Sequence, residues 1–489
     1  MEPTATKTYL YDRKGPWPQP SPNHPLGEAP AVLHLPQAEI SQWQACIGKR
    51  YRRTMLTYWW TAGLDVWRNP SIEPVPDQEF ERLFNHTPFG RFMRPLAPDE
   101  PEAALFGNLV ADAGYHYLLA DFSLMRNVEP FAGMYVAPAL VLFRYPLAGD
   151  PHRAEKQVQA IYLPFSELLL TPDDSPAWQL AKYYVLQGAN YRLVLSIHSV
   201  LHFPFDCINA ITKTQLPMQN TVWQLLMPHL AFTLVVNNSV LESDSSPIFN
   251  NQWLPYSAMT GRKESFEELL VAAYAGLPDL PASYPPYRYT LRPEPVYTDY
   301  GLYLNAYFDT IHEFTSGVVA ALHPHELREV AGWARQISLW LPGFPNERRI
   351  LETDAGGHYC VLASTLAKII WDLSVAHGAD HYNYSLIPVR RIPMRMRVAP
   401  PATPDAPAFQ QSQLCTGLDI FKHLYLRQMF FRAVNVTLLC DTDYHFRDKH
   451  LHSLQTRFQQ QLRNTEAHLQ QQGVQLYSPL GELPRSIQY

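Results

Sequence analysis

Two apolar, helix-like segments of this 489-residue chain each carry a His-x-x-x-His pair, and any fold must accommodate both. The first pair is His198 and His202 in YRLVLSIHSVLHFPF. The second is His377 and His381 in LAKIIWDLSVAHGADHYNY. Residues four apart share a helix face, so each pair points two imidazoles one way. One such pair alone reads as two core histidines, each with a hydrogen-bonded nitrogen. Four buried rings are costly unless all find partners. Two such helices packed face to face would satisfy them with a single transition metal. A metal in an apolar interior points to redox or oxygen chemistry on an apolar substrate. Zinc hydrolysis competes, but neither pair is H-E-x-x-H: Ser199-Val200-Leu201 and Gly378-Ala379-Asp380 intervene, with no glutamate placed as general base. Asp380 is either an acceptor for an imidazole N–H or an exposed helix-end aspartate.

Composition allows a large core: 46% of residues are hydrophobic and 17% charged, which argues against global disorder. Net charge is -6 without a Lys/Arg block, so nucleic acid is not expected as a partner. The five cysteines are scattered with no C-x-x-C, which fits reduced thiols. The N-terminal stretch lacks an apolar signal-peptide core, and no run of about 18 apolar residues stands out. A cytoplasmic location without a transmembrane segment is expected. Other histidines read as ordinary: His323 and His325 at a helix start, and His445, His450 and His452 in a charged, solvated segment.

Residues 1–35 are Pro-rich and read as an extended arm, leaving 36–489 as one large, mostly α-helical domain. Helical spacing runs from Ala38 to Trp67, and a short helix is expected near Asp77–Phe84. MYVAPALVLFRY and VQAIYLPF, joined through Gly149–Pro151, read as a β-hairpin. A long central helix is expected over 176–202, stopped near Pro204. Further helices are expected at 219–242, 263–275, 302–321, 323–340, 357–381, 415–434 and 446–472.

From about residue 105 onward the chain resembles the catalytic domain of a lipoxygenase. SPAWQLAKYYVLQGANYRLVLSIHSVLHFPFDCINA is similar to the family's first metal-helix block. LPMQNTVWQLLMPHLAFTLVVN resembles the next block, built on a Leu-Leu-x-Pro-His core, here Leu225 to His229. IIWDLSVAHGADHYNY with MRMRVAPP resembles the second metal-helix block, and LYSPLGELPRSIQY resembles the C-terminus. The resemblance implies a fold with a central metal-bearing helix and one non-haem iron, or manganese, per chain. Its ligands would be His198, His202, His377, His381 and the terminal carboxylate of Tyr489. It further implies hydrogen-atom abstraction from an activated, bis-allylic C–H of a polyunsaturated fatty acyl substrate. Addition of O2 would then give a hydroperoxide.

The chain departs from that pattern on the substrate side. The first two histidines are four apart where most plant and animal members have five, a spacing that resembles some fungal manganese members. Tyr489 stands where Ile or Val is usual. Val240 falls where Ala or Gly is usual, at a position linked to the carbon that oxygen attacks. Tyr384 replaces a glutamine, and Val194 stands four before His198, so the amide link between metal and substrate is expected to be missing. No N-terminal lipid-binding β-sandwich is expected. Phe203, Phe205, Leu226, Phe232 and Trp371 are candidates for the cavity wall. Arg390, Arg391, Arg395 and Arg397 are candidate carboxylate anchors, against the plainer reading of a solvated basic face. Besides the fatty-acid dioxygenase, the residues admit an oxidase of specialised metabolism acting on a non-fatty-acid or carrier-bound compound. They also admit a binding protein that has lost catalysis. Substrate delivery would use a peripheral membrane contact or a carrier protein.

Overall fold

The computed structural model describes residues 37–173, 175–236, 260–262, 265, 266, 268, 269, 272, 284, 286–383, 387–429 and 436–487. The expected N-terminal arm, Val240, Tyr384 and Tyr489 lie outside the described residues, as does most of the expected helix at 263–275. A short helix, Gln37–Trp43, leads through a π turn into α1 (Lys49–Arg68), and α2 (Asp77–Asn85) follows. Next come five strands: β1 (Met93–Pro95), β2 (Tyr115–Asp121), β3 (Leu140–Pro146), β4 (Gln157–Leu163) and β5 (Leu168–Leu170). They form one antiparallel sheet in sequential order. The expected hairpin is thus only part of a larger sheet. Successive side chains of β3 point to opposite faces, and both faces are covered. Val141 and Phe143 pack toward Phe80 and Phe84 of α2, while Leu140 and Leu142 pack with Leu96, Phe106 and Leu119. Burial on both sides explains why the strand reads as an unbroken apolar run.

The long central helix exists, but it does not stop at Pro204. It starts as α3 (Pro176–Ser196), passes through a π-helical turn (Ile197–His202) and resumes as α4 (Pro204–Gln215). Ser175 caps its start by accepting from the Trp178 N–H at 3.1 Å, with Pro176 at the first helical position. Pro204 likewise opens α4, where a missing N–H costs nothing. Lys182 of α3 is buried and donates to the Val75 carbonyl at 2.7 Å and to Asp77 at 2.5 Å, which fastens α2 to the central helix.

The longer helices that follow among the described residues are α5 (Thr221–Leu230), α6 (Asp299–Ala320), α7 (Pro324–Ser338), α8 (Cys360–Trp371), α9 (His377–Asn383), α10 (Gly417–Met429) and α11 (Lys449–Gln471). A second π turn, Asp372–Ala376, joins α8 to α9. Two large apolar clusters result. One joins the sheet, α2 and α3; the other joins α4 to α8 and α11. The central helix crosses from the first to the second at its π turn. Neither is an unbroken apolar run, but by length and mean composition Pro176–Gln215 and Cys360–His381 are each apolar enough to cross a membrane. Both are buried along most of their length, so their apolarity is consumed by packing.

Candidate metal centre

The two π turns face each other, and the turn at 197–202 also packs against α9. A π turn holds five-residue rather than four-residue hydrogen-bond spacing and recurs at functional sites. Here one such turn carries His198 and His202, and the other ends where His377 begins. His202, His377 and His381 converge in the buried space between them, with one ligand nitrogen from each within 4.8 Å of the others. The Nε2 atoms of His202 and His377 stand 3.0 Å apart. His381 stacks on His377 with ring centroids 4.7 Å apart. The backbone places His198 on the same turn as His202; its side chain lies outside the described residues.

This donor set fits a metal. Nitrogens at right angles around an ion, each about 2.1 Å from it, stand about 3.0 Å from one another. An imidazole–imidazole hydrogen bond would also explain one close pair. It does not explain a third nitrogen converging on the same point. Soft or hard preference does not choose between iron and manganese, since imidazole serves both.

The surroundings of the triad are charged in a way the sequence did not reveal. Asp380 is fully buried and forms an ion pair with Arg91 while accepting a hydrogen bond from the Tyr300 hydroxyl. It is therefore neither an exposed helix-end residue nor, in the contacts seen, an acceptor for a ring of the triad. Burial pushes its carboxyl upward, opposed by Arg91 and by the Tyr300 hydrogen bond. About two turns earlier, Lys368 donates to both oxygens of buried Asp372 at 2.6 and 2.5 Å, at the start of the π turn. Arg91 sits in PFGRFM, where an arginine amid phenylalanines was the only available signal. Nothing in the sequence pairs it with a residue 289 positions away.

His229, from the Leu-Leu-Met-Pro-His core, is buried. Its Nδ1–H donates to the Arg485 carbonyl at 2.6 Å, and its Nε2 accepts from the Tyr444 hydroxyl at 3.0 Å. Burial holds it down to about 3, so the ring is neutral and its tautomer follows from these two partners. The chain's final stretch is further held by an antiparallel bridge between Leu438 and Pro484 and by Arg485 N–H donating to Thr437. Ile487, the last described residue, is buried in the same core as α8.

Of the wall candidates, Phe203, Phe205, Leu226 and Trp371 are buried and Phe232 is half-buried. Leu226 and Phe205 lie in the second cluster, against which Phe232 packs, and Phe203 lies in the first. Trp371 is held by a 2.9 Å hydrogen bond to the Leu304 carbonyl and by Phe308. The candidate carboxylate anchors are engaged by the protein itself. Arg390 pairs with Asp65, Arg391 with Glu73 and Glu79, and Arg395 and Arg397 both with Asp419.

No family model matches the chain. A rat "polyunsaturated fatty acid (12S)/(13S)-lipoxygenase, epidermal-type" is 32% identical over 126 residues, and its mouse counterpart matches equally. That alignment takes in 24% of this chain and only 19% of the relative's length. Solved structures match over far more. A coral 8R-lipoxygenase superposes with a TM-score of 0.69 at 15% identity, covering 98% of this chain and 79% of its own. A manganese lipoxygenase gives 0.68 at 14%, covering 93% and 91%. A lipoxygenase variant crystallised with arachidonate gives 0.68 at 16%, covering 99% and 80%. The architecture is therefore that of lipoxygenase catalytic domains. Among the described residues the strands make a single five-stranded sheet, not a two-sheet sandwich.

Proposed function

Starting from a lipoxygenase fold with three convergent, buried histidines, we propose that residues 36–489 form a non-haem metal-dependent dioxygenase acting on an apolar substrate. The observation that carries this reading is the placement of His202, His377 and His381 around one point, with two nitrogens at the spacing of adjacent metal ligands. His198 and the terminal carboxylate of Tyr489 complete the proposed ligand set. A carboxylate among neutral imidazoles lowers the net charge of an ion held in a low-dielectric interior. Iron or manganese there would supply one-electron oxidation of an activated C–H, with O2 then adding to the carbon to give a hydroperoxide.

The chain's own part is to orient and to keep dry. The apolar clusters on both sides of the π turns exclude water from the triad. Arg91 and Tyr300 fix Asp380 and with it the turn between His377 and His381. A polyunsaturated fatty acyl chain is the first substrate class to test, given the names of the mammalian relatives. One observation favours a second reading. Each of the four arginines after α9 already faces an acid, Arg390, Arg391 and Arg397 closely and Arg395 at 3.7 Å, which weakens them as anchors for a free fatty-acid carboxylate. An esterified, carrier-bound or non-acid substrate of specialised metabolism needs no such cation.

Oxygen uptake and conjugated-diene absorbance test both readings on the metal-loaded full chain. Linoleate and arachidonate are compared with their esters and thioesters. Turnover of the free acids supports the first reading; turnover of only the esterified or thioester forms supports the second. No oxygen uptake with any activated alkene would remove the dioxygenase proposal.

A further inference from the structure

The helix α1 has the sequence KRYRRTMLTYWWTAGLDVWR and, among the described residues, packs on the fold through one side. On that side Ala62 is buried, and the Trp59 ring meets Phe421 and Tyr425 of α10 edge-on at 4.9 and 5.6 Å. The other side carries Leu56, Trp60, Leu64 and Trp67, spaced four, four and three apart, which makes one continuous stripe. These are 71%, 79%, 47% and 80% exposed. The two tryptophans alone present roughly 300–400 Å² of ring surface, which already reaches the size of the largest apolar patch on a typical monomer. Leu418 is 62% exposed, and the adjoining Gly417 lies against Val66 and Pro70 at the C-terminal end of α1.

The charges around the stripe have one sign. Arg52, Arg53 and Arg68 are exposed, and among the described residues none forms an ion pair with an acid. The helix's single acid, Asp65, is taken by Arg390 at 2.8 Å. Tryptophan favours the boundary between headgroups and acyl chains, and arginine favours anionic headgroups. A convex helix with an aromatic stripe and a basic margin is the pattern of an interfacial helix. We propose that this face of α1 docks the protein on anionic lipid bilayers. The bond from Arg390 to Asp65 ties the docked helix to the segment that follows α9. The inference rests on the surface of α1 and not on the oxygenase reading.

The test is flotation of the full chain with vesicles of phosphatidylcholine, with and without phosphatidylserine, at low and high salt, alongside sedimentation without lipid. We expect binding that requires phosphatidylserine and weakens with salt. Trp60→Ser with Trp67→Ser should weaken it by about a hundredfold. Arg52→Glu with Arg53→Glu should weaken it at least about 30-fold and reduce its salt dependence. Because all four residues are exposed, circular dichroism and metal content should stay those of the unaltered chain. Three outcomes would overturn the proposal. The tryptophan variant could bind vesicles as well as the unaltered chain. The chain could ignore vesicles yet sediment as a dimer that the tryptophan variant breaks, making a second copy the occupant. Or a monomer could ignore vesicles while these tryptophans resist acrylamide quenching, making residues 1–36 the occupant.

Discussion

Replacing Arg91 by methionine probes the link between the fold and the triad. Asp380 has no solvent exposure, lies between His377 and His381 in sequence, and relies on Arg91 and the Tyr300 hydroxyl for compensation. Methionine keeps the apolar stem of the arginine and removes only the charge. A buried carboxylate left with one neutral donor should cost about 3–5 kcal/mol of folding stability. Adding Asp380→Asn removes the stranded charge and keeps an oxygen for Tyr300. The new amide N–H pair lacks an acceptor, at about 1–3 kcal/mol. The double variant should therefore recover about 2 kcal/mol over the single one. Guanidinium unfolding followed by near-ultraviolet circular dichroism measures both differences. The reasoning fails if Arg91→Met costs under about 1 kcal/mol, or if the double variant is less stable than the single one.

Other consequences are equally checkable. His229 and His423 are both held down to about 3 by burial, against an ordinary value of 6.5. Each favours folding fully above 6.5 and loses that contribution as pH falls toward 3, by about 4 kcal/mol. Acid titration should show stability falling through that window, and His423→Gln should flatten the slope. A side chain at Gly301 would run into the Val296 carbonyl, whereas one at Gly332 on α7 meets nothing within 4 Å. Gly301→Ala should lower the melting temperature, while Gly332→Ala should add about 0.5–1 kcal/mol. Trp333 donates to the Thr212 hydroxyl at 2.9 Å between α7 and α4. Trp333→Phe should cost about 1–3 kcal/mol by leaving Thr212 short of its donor and opening space, which the same unfolding assay reads.

Much of this was legible because long apolar helices announce themselves. The spacing of α3, α6, α8 and α11 followed helical periodicity over three turns or more; Ser175 and Asp448 cap two of them in the structure. The histidine pairs could be read as convergent because four-residue spacing fixes their face before any tertiary contact is known. Pro204 misled for a physical reason. Proline ends a helix when it falls inside one, but it is welcome at the first position of the next, and only the π turn before it distinguishes the cases. The strands β1 and β5 are three residues each, too short for alternation to show, and Pro95 masks the first further. The Arg91–Asp380 pair and the hold of His229 on Arg485 are long-range contacts without local pattern. The pairing of Arg390 with Asp65 belongs to the same class, and it changes the meaning of a basic run that looked free.

Whether the converging histidines hold a redox metal is open to direct assay. Elemental analysis of the full chain, beside His202→Ala and His377→Ala variants whose folding is checked by circular dichroism, tests it most directly. A metal held by these rings should appear as about one iron or manganese per chain, falling to about a tenth or less in either variant. Zinc, or no metal, in the folded unaltered chain would contradict it.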